Sequence, residues 1–203
     1  GSRQYVVNSL ADGGLITDDQ FTLREALESA NSNSALGDAR INSSFIGYAD
    51  SDRVIFSPSL AGGTIVLGGT ELTISDDLEI LGLGADQLAI DANDQSRVFH
   101  VDTETTVFMD GLTITGGNTL GESGGGIRNQ GSITLTNTTV SGNSADTGGG
   151  GGISNRDILT LVNSTVSGNS ADSGGGIFSY AEGTLTLKNS VVAGNIGSSD
   201  EDI

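Results

Sequence analysis

The residues that could carry covalent chemistry in this chain are carboxylates and arginines. The acidic candidates are Asp76-Asp77, Asp91 with Asp94, and Asp146 with Asp172; the basic ones are Arg97, Arg128 and Arg156, and His100 is the single histidine. Two carboxylates facing each other across a cleft at about 5 to 9.5 Å would suit glycoside hydrolysis, one as acid and the other as base or nucleophile. Asp146 and Asp172, however, fall inside a copied segment, Asn-Ser-Ala-Asp, which makes them features of a repeat and not a unique constellation. Asp50, Asp52, Asp200 and Asp202 offer oxygen ligands that calcium prefers, but neither stretch has the mid-loop glycine and closing glutamate of an EF-hand. Gly121 to Gly125 satisfies Gly-x-Ser-x-Gly, yet no helix follows, as a nucleophile elbow requires. Gly82 to Gln87 lacks the third glycine of a dinucleotide loop and its crossover helix. His100 alternates outward between Phe99 and Val101 and reads as a strand-surface residue. No catalytic residue is assigned on these grounds.

The composition narrows the partners. The 203 residues include 8 Lys plus Arg against 26 Asp plus Glu, a formal charge of −18. Such a surface repels nucleic acid and anionic membrane and favours cations. Cysteine is absent, so disulfides and thiolate metal sites are excluded. No apolar run approaches the roughly 20 residues of a membrane span, so no membrane insertion is expected. Gly1-Ser2 reads as a cloning remnant, and the start of the chain therefore says nothing about targeting.

What must position any site is a repeat. Asn143, Asn169 and Asn195 stand 26 residues apart, as do Asn137, Asn163 and Asn189, and Asn129 and Asn155. Apolar columns keep the same step: Val107, Ile133, Leu159, Leu185; Met109, Leu135, Leu161, Leu187; Ile114, Val140, Val166, Val192. A fixed period in this range is the signature of a solenoid. Within each unit apolar and polar residues alternate, which argues strand, and Gly, Asn and Ser between them mark corners. The expectation is an all-β fold, a single-stranded right-handed parallel β-helix of about five coils, with three short strands per coil. Asparagine suits its corners because it tolerates the left-handed backbone, and stacked amides can bond along a ladder. All eight asparagines are therefore read as architecture.

Residues 53–203 are assigned to the β-helix, with clear 26-residue repeats in 124–203; residues 1–52 form a strand, a helix and a loop. In "TLREALESAN", Leu23, Ala26, Leu27 and Ala30 lie at helical spacing, and Thr22 with Glu25 fits a capping box. This helix is expected to cover the open end of the solenoid, whose strand edges and core would otherwise face water. After the last coil comes "GNIGSSDEDI" with no closing helix. The expectation there is continuation, docking, self-association through that end, or shielding by the acidic tail.

At "FTLREALESAN" the chain resembles the N-terminal segment of CSLREA-type bacterial surface proteins, with Phe21 and Thr22 where that motif has Cys and Ser. The triplicated unit resembles the polymorphic outer-membrane adhesins: Gly-Gly-Gly-Ile stands for their Gly-Gly-Ala-Ile, and Val140 to Asn143, Val166 to Asn169 and Val192 to Asn195 for Phe-x-x-Asn. These resemblances imply an extracellular β-helix of pectin-lyase-like shape, secreted or on a bacterial cell surface. They point to a non-enzymatic segment for adhesion or a stalk, with an unknown receptor or glycan as partner and no cofactor except possible calcium. Two alternatives stand beside it. One is a polysaccharide lyase or hydrolase, for which the resemblance implies a calcium-binding carboxylate cluster and a basic Arg or Lys. The other is an ice- or glycan-binding surface on the columns Thr134, Thr160, Thr186 and Thr113, Thr139, Thr165, interrupted by Lys188 and Val191.

Overall fold

Short runs of Val, Ile, Leu and Thr separated by Gly and Asn turns cannot form a long hairpin meander, but they can wind. In the computed structural model, which describes residues 2–14, 18–34, 41–42 and 51–203, they build a right-handed parallel β-helix. The first face stacks strands 52–56, 78–81, 106–110, 132–136, 158–162 and 184–188, preceded by 4–7. The second stacks 63–66, 88–91, 113–115, 139–141, 165–167 and 191–192. A third, four-stranded face holds 118–119, 144–149, 170–173 and 196–199, and the fourth holds 72–74, 99–101, 127–129, 153–155 and 177–179. Every pairing along these faces is parallel; the exception lies beyond them, where Ile41–Asn42 pairs antiparallel with Gln4–Val7. About six turns result, five of them complete through the fourth face.

The third face corrects the expectation of three strands per coil. The two Asn-Ser-Ala-Asp segments, whose polar residues mark corners in the sequence, enter strands Ser144–Gly149 and Ser170–Ser173, and Asn118–Thr119 and Ile196–Ser199 continue the face on either side. They are nearly free of the branched apolar residues that signal strand: Ala145 takes the inward position and is fully buried, paired with the buried Thr119 of the coil before. The adjoining glycine strip fits closely. A Cβ on Gly151 would lie 2.2 Å from the carbonyl oxygen of Ser170, and Gly150 has φ +73°. Only glycine meets both demands.

The core is the inward half of each strand. Met109, Leu135 and Leu161 are fully buried and paired in register, as are Val107, Ile133 and Leu159. Each such side chain stabilises the fold by about 1.5–3 kcal/mol through burial. Leu187 keeps the inward register opposite Leu161 but is 41% exposed, because no coil covers strand 184–188. The opposite end is closed. Helix Leu23–Asn31 begins with a complete capping box: Glu25 N–H donates to Thr22 Oγ1 at 3.2 Å and Thr22 N–H to Glu25 Oε2 at 2.9 Å. Its buried face, Leu23, Ala26, Leu27 and Ala30, covers the first coil's core. Arg24 fixes it there, donating to both Asp12 oxygens and to the carbonyls of Thr70 and Glu71, while Asn31 bridges Thr73 and Ser75.

Candidate functional site

The asparagine columns divide into two kinds. Asn143, Asn169 and Asn195 are buried, and each Oδ1 accepts from the backbone of the coil before. Their amides also bond to one another, Asn143 Nδ2 to Asn169 Oδ1 and Asn169 Nδ2 to Asn195 Oδ1, both at 2.9 Å. The left-handed corner beside them is not taken by asparagine but by Gly116, Gly142, Gly168 and Gly194. Asn137, Asn163 and Asn189 are the reverse: exposed, with φ of 47°, 50° and 48°, following Gly111 at the same corner. Their contacts are slight, Asn137 to Asp110 and Asn189 to Asn163. Asn129 and Asn155 form a third buried pair at 2.8 Å, continued by Ser179. Sequence reading missed a hydroxyl ladder of the same period, in which Thr138 N–H donates to Ser164 Oγ and Ser164 N–H to Ser190 Oγ. The copied Asn-Thr/Ser dipeptides were its signal.

Asp202, a calcium candidate, extends the buried ladder. Its Oδ1 accepts from Asn195 N–H at 3.1 Å and Asn195 Nδ2 at 3.0 Å, standing where a further asparagine would. The carbonyls of Ser199, Asp200, Glu201 and Asp202 accept from Gly174, Gly175, Gly176 and Ile177. The acidic tail thus covers the glycine strip but not strand 184–188. Asp52 lies at the other end of the solenoid, its carboxylate accepting from Arg3 N–H and the Tyr5 hydroxyl. Burial, with the Asp52 charge beside it, pushes the Tyr5 phenol up to about 12. Asp50 lies outside the described residues, and Asp200 is exposed at a left-handed corner. The three described candidates do not converge, and no group of three or more His, Cys, Asp or Glu able to hold a metal occurs among the described residues.

The non-repeated charges do converge, where the fourth face meets its preceding loops. Arg97, almost fully buried, donates Nε to the Gly124 carbonyl, Nη1 to Glu71, and Nη2 to Glu122 at 2.7 Å and to the Ser123 carbonyl. His100 bridges Glu71 at 3.3 Å and Gln130 at 2.8 Å, so it is more than the plain strand-surface residue its alternation implied. Arg128 reaches Glu122 at 3.5 Å. Arg156 stands apart, 3.7 Å over the Tyr180 ring and 3.8 Å from Glu182. The hydrogen bond from His100 holds Glu71 below the ordinary carboxylate range despite its burial, helped by Arg97. The Arg97 hydrogen bond does the same for Glu122, and the bond to Glu71 raises His100. Sequence reading had singled out Arg97 and His100 but not Glu71 or Glu122. The signal was present: Glu71 precedes Arg97 by one 26-residue period, an opposite-charge pair on adjacent coils.

In this cluster the charges tie coils together: both carboxylates are held lowered, where a carboxyl serving as general acid would be raised. A basic group that takes or stabilises a proton must be free, and Arg97 is fully engaged. The remaining acidic candidates serve the backbone or the surface. Asp76 accepts from Asp77 N–H and from Asn33, Asp77 from Thr106 N–H, and Asp91 from Asn93 N–H; Asp146 and Asp172 are exposed.

Two outer surfaces remain. Thr134, Thr160 and Thr186 are Cα partners on the first face, and Thr113, Thr139 and Thr165 on the second, where Val191 ends the column. Along the first face a groove of about 520 Å3 is lined by Ser51, Asp77, Glu79, Thr106, Phe108 and Thr134. Comparisons with protein-family models, curated proteins and solved structures find no match to this chain.

Proposed function

We propose that this chain is a non-enzymatic β-helical segment of a secreted or cell-surface bacterial protein, serving adhesion or as a stalk. The observation that carries the reading is the Arg97 cluster: Arg97 spends its guanidinium on Glu71, Glu122 and two backbone carbonyls, so its charges hold loops and coils together. The ladders support a rigid, load-tolerant rod, since each coil is bonded to the next through both backbone and amides. About six turns at roughly 4.8 Å advance some 29 Å, the length of a spacer unit or a binding platform and not of a whole stalk. The resemblance to CSLREA-type surface proteins and polymorphic adhesins favours the extracellular setting and the pectin-lyase-like shape. Strand 184–188, with Leu185 part-buried and Leu187 exposed, is the edge through which we expect self-association.

The test pairs binding with turnover. The purified chain should adhere to cells or to members of a glycan panel, and should release no unsaturated or reducing ends from polygalacturonate or neutral polysaccharides, with or without calcium. Turnover abolished by Arg97→Gln or Arg128→Gln would replace this reading with the polysaccharide-cleaving one.

A further inference from the structure

The groove on the first face can be given a ligand class, resting on the adhesive reading. Its floor is the outer side of strands 78–81, 106–110 and 132–136. Val107 and Met109 turn into the core, so Phe108 between them turns its ring outward into the groove, where it is only part-buried. Around that ring stand the hydroxyls of Thr106 and Thr134 and the carboxylates of Asp77 and Glu79. Asp77 is exposed and uses Oδ1 to accept from Thr106 N–H at 2.6 Å, which fixes the carboxylate. Glu79 is held by Arg53, which donates to its Oε2 at 2.6 Å, so the nearest cation is already engaged.

Charge decides the sign of the ligand. The exposed Asp77 carboxylate, beside a Glu79 whose charge Arg53 offsets, on a chain of net charge −18, repels an anion and draws a cation to the groove. An aromatic face beside it adds cation–π attraction and a flat apolar surface. A peptide is the less suitable cation. The backbone groups of these three strands are paired with one another in continuous register, so the floor offers none of the free main-chain partners that strand addition needs. A pyranose ring requires only what is present: an aromatic plane for its C–H face and side-chain oxygens for its polar rim. The volume lies within the range of about 300–1,000 Å3 typical of small-ligand pockets.

We infer that this groove binds an amine-bearing glycan, a glucosamine-type unit stacked on Phe108 with its ammonium group against Asp77. Calorimetric titration tests it with short glucosamine oligomers, their N-acetylated counterparts, polygalacturonate and a lysine oligopeptide. The glucosamine oligomers should bind. Phe108→Leu, which keeps apolar bulk without the ring, and Asp77→Asn, which keeps the oxygen facing Thr106, should each weaken binding at least about tenfold. Acetylation, which removes the charge, should cost about tenfold as well, and polygalacturonate should not bind. Melting curves matching the parent chain would show both variants folded. The inference is overturned if glucosamine oligomers do not bind, if neither variant weakens them, or if the lysine peptide binds as tightly with the same dependence on both variants. Cell adhesion that persists undiminished in Phe108→Leu would overturn this site while leaving the adhesive reading in place.

Discussion

Neighbouring coils are tied in two ways in this molecule. From the third coil onward the buried ties are neutral and copied, asparagine and serine side chains bonded at 26-residue intervals, with the exposed pair Arg156–Glu182 outside them. In the earlier coils they are charged and occur once each: Arg53 with Glu79, and Arg97 with Glu71 and Glu122, while Arg24 with Asp12 ties the cap helix to the first coil. A ladder amide is buried and has no water to fall back on, so losing a rung leaves its neighbours unpaired. The carboxylates that Arg97 holds keep solvent access and can be rehydrated when that partner is lost, whereas Asp12 and Glu79 are largely buried. Losing a ladder rung should therefore cost more than losing Arg97, and the Arg97 cluster is where pH acts.

The largest expected effect is on the ladder. Asn169→Ala removes the acceptor for Asn143 N–H and Nδ2 and the donor to the Val140 and Asn195 oxygens. It should cost about 2–3 kcal/mol in urea melts. Asn143→Ala should cost a similar amount, since it is equally buried. A near-zero loss at Asn169 would reduce the ladder to a turn preference and remove the contrast between the halves.

Arg97→Met should come next, at about 1–2 kcal/mol. The substitution orphans two carbonyls, of Gly124 and Ser123, but its carboxylate partners retain water: Glu71 is 32% and Glu122 58% exposed at the side chain. A loss as large as that of Asn169→Ala would mean that charge binds the irregular half as firmly as amides bind the other.

A smaller effect separates the two asparagine columns. Asn163 is exposed with φ 50°, so Asn163→Ala should cost about 1 kcal/mol of left-handed strain, and Asn163→Gly should be nearly neutral. Asn169→Gly should remain as damaging as Asn169→Ala, because there the amide is used and not the backbone. Equal losses for the two glycine variants would erase the distinction.

That distinction also marks the limit of what the sequence disclosed. The 26-residue step and alternating columns specify stacked strands and their inward residues, and Thr22 with Glu25 specifies the helix start, because these follow from local spacing. Which asparagine takes the left-handed corner was not legible, since Gly142-Asn143 and Asn137 each place a suitable residue at a turn. The third face was hidden by its small residues, whose strand state comes from pairing with adjacent coils and not propensity. Glu122 was hidden because its meeting with Arg97 depends on how unequal loops fold over one corner, whereas Glu71 stood one period before Arg97 but outside any copied column. Asp202 was read as a possible calcium ligand, and its place on the ladder depends on the path of the tail. Repeats expose what each coil shares; a site made of unshared residues needs the third dimension.

The smallest effect concerns pH, and it should be confined to the irregular half. Folding raises His100, chiefly through its bond to Glu71, against the opposing effect of burial; Gln130 and the charges of Glu71 and Asp102 act in the same upward direction. Its contribution is fully present below the unfolded value of about 6.5 and is lost as pH rises through the higher folded value. Folding lowers Glu71 and Glu122, through the His100 and Arg97 bonds respectively, so their contribution is present above about 4.3 and lost as pH falls through their folded values. The three groups together stabilise the fold most between about 4.3 and 6.5. His100→Gln should flatten the decline on the alkaline side and lessen, without abolishing, the acid decline, because Arg97 still holds both carboxylates. Urea midpoints measured from pH 3 to 9 would show it, compared with hydrogen exchange resolved by segment. Amides of strands 72–74 and 99–101 should gain exchange protection toward the middle of that range, after correction for intrinsic rates, while those of 158–162 and 165–167 should not. An alkaline decline that survives His100→Gln unchanged, or that spreads evenly over the copied coils, would show that this cluster is not what makes the two halves respond differently.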